Sequence, residues 1–204
     1  MIHTRSIAKY FILSAVLIAT VLLDVGPAFA ADWSEPLTIM RRRQGTVISY
    51  RAKVDSGYLV VEAAHGKGWH TYSMDNLQRA QKKTGKEKPD TELPTRIEVS
   101  GGLKVTGRWI QSTPKDLSMT EIKWYTWGFE NTTYFAVPVE KTGTGDATVK
   151  LFAQICNASS CNMVDGQAIT IAASEITGEM PAKHPPLPDD SYVTVGDPKG
   201  FGEL

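Results

Sequence analysis

The chain has 204 residues, 42% of them hydrophobic, and its 22 basic residues balance 22 acidic ones. This balance excludes the strong positive charge that carries most binding to nucleic acid or to anionic lipid. The hydrophobic content is enough for one core of ordinary density, so the chain does not need disulfides merely to fold. We therefore expect a single domain and no nucleic-acid partner.

The first thirty residues have the parts of an export signal. Arg5 and Lys9 precede an almost wholly apolar stretch over residues 11–23, and the segment ends in Ala-Phe-Ala, the pattern that signal peptidase cuts. The apolar run is shorter than the roughly 20 residues that a membrane helix needs. We predict a signal peptide over residues 1–30 and an exported chain that begins at Ala31, carries a net charge near −1 and has no stable membrane span. Its expected location is periplasmic or secreted.

Residues 45–177 show the pattern of short strands. Segments 46–54 and 58–64 are rich in β-branched and aromatic residues and are separated by the turn sequence Asp-Ser-Gly, which predicts a hairpin. Five later segments have the same composition: 96–100, 103–109, 132–140, 148–155 and 168–173. Seven short strands at this spacing predict an all-β fold, an antiparallel β-sandwich with little helix.

Three segments lack this pattern. Residues 31–44 form an N-terminal extension, and residues 76–93 are polar and rich in lysine, which predicts an exposed loop. Residues 178–204 are rich in Pro, Gly and Asp and contain few core residues, which predicts a flexible tail.

Two cysteines, Cys156 and Cys161, are the only ones in the sequence, with four residues between them. In an oxidising compartment two such thiols exist as a disulfide at least part of the time. If a strand ends at the first and another begins at the second, they face each other across a hairpin. The bond would close a loop of only six residues, which stabilises a fold by roughly 2 kcal/mol.

The spacing of the cysteines alone leaves their role open. A short, exposed pair fits a redox couple, and it also fits a structural disulfide that holds the hairpin together. A metal site is disfavoured because two thiolates need further ligands, and no histidine has ligand spacing with them. The four histidines are His3, His65, His70 and His184. We expect no metal and no cofactor.

An aromatic cluster lies at Trp124, Tyr125, Trp127 and Phe129. Successive aromatic residues cannot all face one core, so some of them must cover another group or contact a partner, whereas the rest form a core strand. A second aromatic group, at the start of an expected strand, is best explained by core and edge packing. That group consists of Trp69, His70 and Tyr72.

Four segments of the chain carry a resemblance to a known family. They are Gly-Trp-His-Thr-Tyr at 68–72, Leu-Pro-Thr-Arg-Ile-Glu-Val at 93–99, Tyr-Phe-Ala-Val-Pro-Val at 134–139, and the cysteine segment at 153–161. In this order they resemble the N-terminal periplasmic domain of the DsbD-type thiol:disulfide interchange protein. The resemblance spans residues 45–173. It implies an immunoglobulin-like sandwich whose two cysteines receive electrons from a membrane partner and pass them to oxidised periplasmic proteins.

Only Cys156 and Cys161 match the family's redox pair residue by residue. The resemblance implies that Cys161 is the exchanging sulfur and that an aromatic residue of a cap loop, in the region of Trp124 to Phe129, covers the pair. The proline that often follows the second cysteine is replaced by Asn162. The implied partners are thioredoxin-like or other disulfide-exchange proteins and a membrane thiol reductase, which we expect to be a separate protein.

Two other functions compete with this interpretation. In the first, the sandwich is a binding or adaptor domain that is not an enzyme, and its disulfide only stabilises a hairpin. In the second, Trp124 and Trp127 are stacking platforms of a carbohydrate-binding domain. The thiol-disulfide oxidoreductase is the favoured hypothesis.

Overall fold

The structure, a computed structural model, describes residues 32–188 and 191–196. The predicted signal peptide and the end of the predicted tail lie outside the described residues. The described helix is α1 (Asn76–Thr84), and two 3₁₀ turns cover Thr120–Ile122 and Ala173–Glu175. In chain order the strands are β1 (Leu37–Arg41), β2 (Gly45–Asp55), β3 (Tyr58–His65), β4 (His70–Tyr72), β5 (Arg96–Gly101), β6 (Leu103–Val105), β7 (Ile110–Ser112), β8 (Lys115–Asp116), β9 (Trp127–Glu130), β10 (Thr132–Lys141), β11 (Ala147–Cys156), β12 (Cys161–Ile171) and β13 (Tyr192–Thr194).

The strands form two antiparallel sheets. The first sheet has the order β1-β2-β3-β10-β7-β13, and β6 pairs with β10 farther along that strand. The second sheet has the order β12-β11-β4-β9-β8, and β5 pairs with the first half of β11. This arrangement confirms the predicted all-β sandwich. No helix in the described residues is long and apolar enough to cross a membrane.

The core lies between the two sheets and follows from the two-residue period of the strands. On β2 the alternate residues from Ile48 to Val54 are at most 1% exposed, and on β11 those from Val149 to Ile155 are at most 2% exposed. Successive strand residues point to opposite faces, so each strand contributes one apolar row to the core. The opposite face of β11 carries Thr148, Lys150, Phe152, Gln154 and the last residue of the strand, Cys156.

Five of the predicted strands agree with the observed ones and two do not. The strands β2, β3, β5, β10 and β11 match their predicted segments within one residue at either end. The predicted segment 168–173 covers only the last four residues of the longer β12 and runs two residues past its end. The predicted strand 103–109 is wrong as one element, because β6 ends at Val105 and β7 begins at Ile110. The N-terminal extension also contributes a strand, since β1 pairs with β2.

The prediction of an exposed loop over residues 76–93 is wrong for its first half, which forms α1. Its buried residues are Asn76, Arg79 and Ala80, and two of these three are polar. A helix that buries polar side chains on hydrogen-bonding partners shows no apolar period in its sequence. Gly85 ends the helix in the left-handed conformation, with φ of 69°.

The described part of residues 178–204, where the sequence predicts a tail, contains a strand and contacts the sandwich. The strand β13 pairs with β7 at the edge of the first sheet. Earlier in the same segment, the Ala182 amide donates to the Ser56 carbonyl at 2.9 Å, and the Tyr58 hydroxyl donates to the Ala182 carbonyl at 3.1 Å. Leu187 packs against the small apolar cluster on the outer face of the first sheet. These contacts hold the segment against the sandwich.

Candidate functional site

The cysteines form a disulfide at the end of a hairpin. Cys156 is the last residue of β11 and Cys161 the first of β12; they are directly opposite in the strand register, with Cα atoms 4.0 Å apart. The side-chain oxygen of Asn157 accepts hydrogen bonds from the Ser159 and Ser160 amides, both at 2.9 Å. Asparagine favours tight turns through such bonds to the residues that follow it. The hairpin expected from the cysteine spacing is confirmed.

A β-bulge places the two cysteines opposite each other. The register of β11 and β12 shifts by one residue between Leu151 and Phe152, where Leu151 pairs with Gln167 but Phe152 pairs with Asp165. The extra residue is Gly166, whose φ of 72° favours glycine. Without the shift, Cys156 would face Asn162 rather than Cys161. The bulge therefore sets the geometry that the disulfide needs.

The two sulfur-bearing residues differ in exposure. Cys156 is 2% exposed, whereas Cys161 is exposed. The Gln154 side-chain amide lies 3.5 Å from the Cys156 sulfur and also donates to the Glu92 carboxylate. A partner can therefore approach the sulfur of Cys161 more easily than that of Cys156.

A cavity of about 350 Å³ lies beside the disulfide, on the outer face of the second sheet. One wall is residues 117–126, which we call the cap segment; it leaves β8, turns back and enters β9. Backbone hydrogen bonds of 2.8 and 3.0 Å between Met119 and Trp124 close its tip. The cavity is lined by His70, Tyr72, Glu92, Leu117, Met119, Trp124, Thr126, Glu130, Cys156, Asn157, Ala158 and Cys161.

The four aromatic candidates have different surroundings. Trp124 lines the cavity, and Tyr125 is half-buried with the Lys83 ammonium 6.0 Å from its ring. Trp127 and Phe129 are each 3% exposed, and the Phe129 ring meets the core ring of Phe135 edge-on at 5.6 Å. Trp124 is therefore the aromatic residue of this group that adjoins the disulfide. The burial of Trp127 excludes it as a carbohydrate-stacking platform, so that hypothesis is wrong as stated.

The second aromatic group divides in the same way. Trp69 belongs to the core, in agreement with the packing interpretation. His70 and Tyr72 point to the opposite face, line the cavity and lie 3.0 Å apart through the His70 Nε2 atom and the Tyr72 hydroxyl. Their position beside the disulfide was not predicted from the sequence, nor was that of Glu92, Glu130 and Gln154. The signal available was the strand period, which places residues 70 and 72 on the face opposite residue 71.

Burial dominates the electrostatics of the cavity. It lowers the pKa of His70, although the nearby carboxylates of Glu130 and Glu92 act in the opposite direction. Burial, reinforced by Glu92, raises the pKa of the Tyr72 hydroxyl, which is therefore protonated at neutral pH. Among the described residues no three side chains of the types that bind metals lie close enough to hold an ion.

Comparisons with known proteins bear on the fold. No family model matches the sequence, and no curated protein matches it. The structure is similar to the N-terminal periplasmic domain of ScsB from Proteus mirabilis, with a TM-score of 0.50 and 15% sequence identity. The match covers 74% of this chain and 53% of the ScsB chain, so this chain spans about half the length of that neighbour. It is also similar to the reduced N-terminal domain of DsbD from Neisseria meningitidis, with a TM-score of 0.43 and 13% identity over 62% of this chain and 85% of that chain.

The chain has the fold of a DsbD-type N-terminal domain. This confirms the resemblance stated from the sequence at the level of the fold, an immunoglobulin-like sandwich.

Proposed function

We propose that this chain is a periplasmic thiol-disulfide interchange domain that passes electrons through Cys156 and Cys161. The observation that carries the proposal is the asymmetry of the pair: Cys161 is an exposed residue and Cys156 is only 2% exposed, and both line the same cavity. A redox couple needs one accessible sulfur for intermolecular exchange and a second sulfur to resolve the product.

The exchange consists of two displacements. The Cys161 thiolate attacks a sulfur of an oxidised protein; the target disulfide breaks, a mixed disulfide forms, and the first target thiolate leaves. The Cys156 thiol then loses its proton and attacks the Cys161 sulfur, which forms the disulfide of the domain and releases the second target thiolate. The domain is oxidised by two electrons and the target is reduced by two. An electron donor restores the dithiol by the reverse steps.

Exposed apolar side chains around the cavity support a protein partner. Met119 lines the cavity and Ile122 lies on the same cap segment, and they are 50% and 66% exposed. Leu93 and Met163 line a second depression on this sheet and are 55% and 53% exposed. Exposed apolar side chains beside a reactive group are typical of a protein-contact surface. We propose a thioredoxin-like or other disulfide-exchange protein as one partner and a membrane thiol reductase as the donor. The periplasmic location is supported by the name of the structural neighbour, a periplasmic domain.

The decisive experiment is the equilibrium reduction potential of the disulfide, titrated against glutathione or dithiothreitol while unfolding is followed in parallel. A potential well above about −300 mV, with the fold intact in both states, would support exchange, because structural disulfides typically lie below that value. A lower potential, or unfolding on reduction, would favour the adaptor hypothesis, in which the disulfide only stabilises the hairpin.

Trapping by single-cysteine variants gives an independent test. Cys156→Ser retains the exposed thiol and should accumulate a mixed disulfide with a thioredoxin-like protein, because the resolving sulfur is absent. Cys161→Ser retains only the buried thiol and should react far more slowly. Equal trapping by both variants would contradict the assigned roles.

A further inference from the structure

Four side chains form a row across the second sheet. In the strand register, Cys161 on β12 faces Cys156 on β11, Cys156 faces His70 on β4, and His70 faces Glu130 on β9. Directly opposed residues of antiparallel strands lie on the same face, with Cβ atoms about 4.5 to 5.5 Å apart. The row thus joins a disulfide, an imidazole and a carboxylate, and all four residues line the same cavity.

His70 is the group in this row whose protonation can change near neutral pH. Imidazole is the side chain with an ordinary pKa close to neutrality. Burial lowers the pKa of His70, so its ring is neutral at pH 7 and can accept a proton. Tyr72 does not accept one, because burial keeps its hydroxyl protonated.

Charged and titratable groups reach His70 from each element packed around it. Glu130 on β9 and Glu92 before β5 favour the protonated ring. His65 at the end of β3 has its own pKa lowered to about 4 and is uncharged at neutral pH. On its own strand, His70 Nε2 lies 3.0 Å from the Tyr72 hydroxyl. When Nε2–H donates to the Tyr72 oxygen, Nδ1 carries no hydrogen and is the nitrogen that can accept the proton. Lys115 on β8 binds the Glu130 carboxylate at 3.1 Å and fixes it at the end of the row. A proton accepted by the imidazole is therefore stabilised by the carboxylate beyond it.

We infer that His70 is the proton acceptor for the Cys156 thiol during the resolving step, an inference that rests on the proposed exchange function. The mixed disulfide at Cys161 holds the sulfur to be attacked. The Cys156 S–H proton passes to the His70 ring as the Cys156 sulfur bonds to the Cys161 sulfur, and the target thiolate leaves with the electron pair of the broken bond. In the reverse direction the imidazolium returns its proton to Cys156 as that sulfur is displaced.

The burial of Cys156 explains why such an acceptor is needed. A buried thiol resists ionisation, and Cys156 is only 2% exposed as a residue. A base in the solvent therefore reaches it less easily than it reaches Cys161, which is exposed. No Lys or Arg is opposed to Cys156 in the strand register, where its partners are Cys161 and His70. The neighbouring imidazole is the group placed to take the proton, and positioned acid-base groups accelerate reactions by about 10²–10⁴-fold.

The experiment follows the lifetime of the mixed disulfide. The reduced protein is mixed with glutathione disulfide and quenched with acid, and the glutathionylated form is counted by mass spectrometry between about pH 5 and pH 9. His70→Gln is compared with the wild type, and His184→Gln, a change at an exposed histidine, is the matched control. Near neutral pH the His70→Gln intermediate should last at least about tenfold longer, and the difference should vanish at high pH, where Cys156 ionises without help.

The outcomes separate the two proposals. Equal lifetimes in wild type and His70→Gln at every pH would overturn the role of His70 but leave the exchange function standing. A delay that is the same at all pH values would indicate altered packing and would also overturn it. Failure of the wild type to react with glutathione disulfide or with thioredoxin would overturn the exchange function and, with it, this inference.

A second measurement applies if His70→Gln does not fold. The resolving rate of the glutathionylated wild-type protein is then followed alone from about pH 5 to pH 9. If the neutral imidazole takes the proton, this rate should rise as His70 loses its own proton and should level off near neutral pH. A rate that keeps rising about tenfold per pH unit up to pH 9 would show unassisted thiolate attack and would overturn the inference.

Discussion

Asn76 and Trp127 are joined by a hydrogen bond of 2.8 Å, from the Trp127 amide to the side-chain oxygen of Asn76, although 51 residues separate them. The same oxygen accepts from the Thr126 hydroxyl at 3.2 Å, and the side-chain NH₂ group donates to the Glu92 carbonyl at 2.8 Å. The first residue of α1 therefore holds both the end of the cap segment and the chain that carries Glu92 into the cavity. Asn76 is itself fully buried.

Asn76→Ala should destabilise the domain and loosen the cap segment. The change leaves several buried donors and acceptors without their partner, at a cost of about 1–3 kcal/mol for each group that water cannot reach. We expect a loss of about 2–4 kcal/mol in the free energy of unfolding, measured with urea, and faster reduction of the disulfide by dithiothreitol. Gln78→Ala, at an exposed position of the same helix, is the control and should change neither quantity. An unchanged reduction rate in Asn76→Ala would show that α1 does not position the cap segment.

Trp124→Ala should speed the reaction of the disulfide with small thiols. The indole lines the cavity beside both cysteines, so its removal opens the path to the less exposed sulfur. We expect the rate of reduction by dithiothreitol to rise several-fold near neutral pH, with little change in the fold. Ile122→Ala removes a side chain that is 66% exposed on the same cap segment and should leave the rate unchanged. Equal rates in the two variants would mean that Trp124 does not shield the pair.

Local signals in the sequence predicted the sandwich and the hairpin, but the surroundings of the disulfide depend on long-range pairing. The apolar alternation of β2 and the asparagine turn at Asn157 are both visible within a few residues. The pairing of Cys156 with His70 joins residues 86 apart, and the sequence does not show which strand lies beside β11. The helix α1 was missed because its buried positions, Asn76 and Arg79, are polar. The Lys82, Lys83 and Gly85 pattern at its end was the available helix signal.

Asp75→Asn should be among the most destabilising single changes. The Asp75 carboxylate accepts from Arg79 at 2.8 Å and from Gln111 at 2.8 Å, and the side chains of the ion pair are 0% and 3% exposed. Removing one charge of a buried pair typically costs about 3–5 kcal/mol, because the attraction that offset the burial of the two charges is lost. Glu98→Gln breaks the exposed pair with Arg96 and should cost less than about 1 kcal/mol. The free energy of unfolding of both variants is measured with urea at neutral pH. Similar losses in Asp75→Asn and Glu98→Gln would contradict the prediction.

The same carboxylate makes stability depend on acidity. Burial alone raises the pKa of Asp75, but the hydrogen bonds and charge of Arg79 outweigh it and hold the pKa below its usual value. A carboxyl whose pKa is lower in the folded state binds fewer protons there than in the unfolded chain. Its stabilisation is therefore fully present above about pH 4 and is lost as the pH falls through the folded-state pKa. Asp75→Asn should remove this part of the acid sensitivity below about pH 4, as measured by urea unfolding.

His65 should make the free energy of unfolding depend on pH over a range above that of Asp75. Burial lowers its pKa to about 4, although the hydrogen bond of Nδ1 with the Asn131 carbonyl opposes the shift. The unfolded histidine titrates near 6.5, so between about pH 6.5 and pH 4 the unfolded chain binds the proton that the folded domain excludes. Stability should fall across this window by on the order of 3 kcal/mol as the pH decreases. His65→Gln should flatten the slope of unfolding free energy against pH there, whereas His184→Gln should preserve it.

Loss of the disulfide should weaken the domain but not unfold it. The bond closes a six-residue loop between residues that the β11–β12 ladder already holds opposite each other over ten residue pairs. The chain-entropy estimate for such a loop is about 2 kcal/mol, which is small against the core that the two sheets bury. The Cys156→Ser, Cys161→Ser double variant should therefore unfold cooperatively in urea, with about 2 kcal/mol less stability than the oxidised protein. A loss of 5 kcal/mol or more, or the absence of a folded baseline, would identify the bond as a structural element and would favour the adaptor hypothesis over electron transfer.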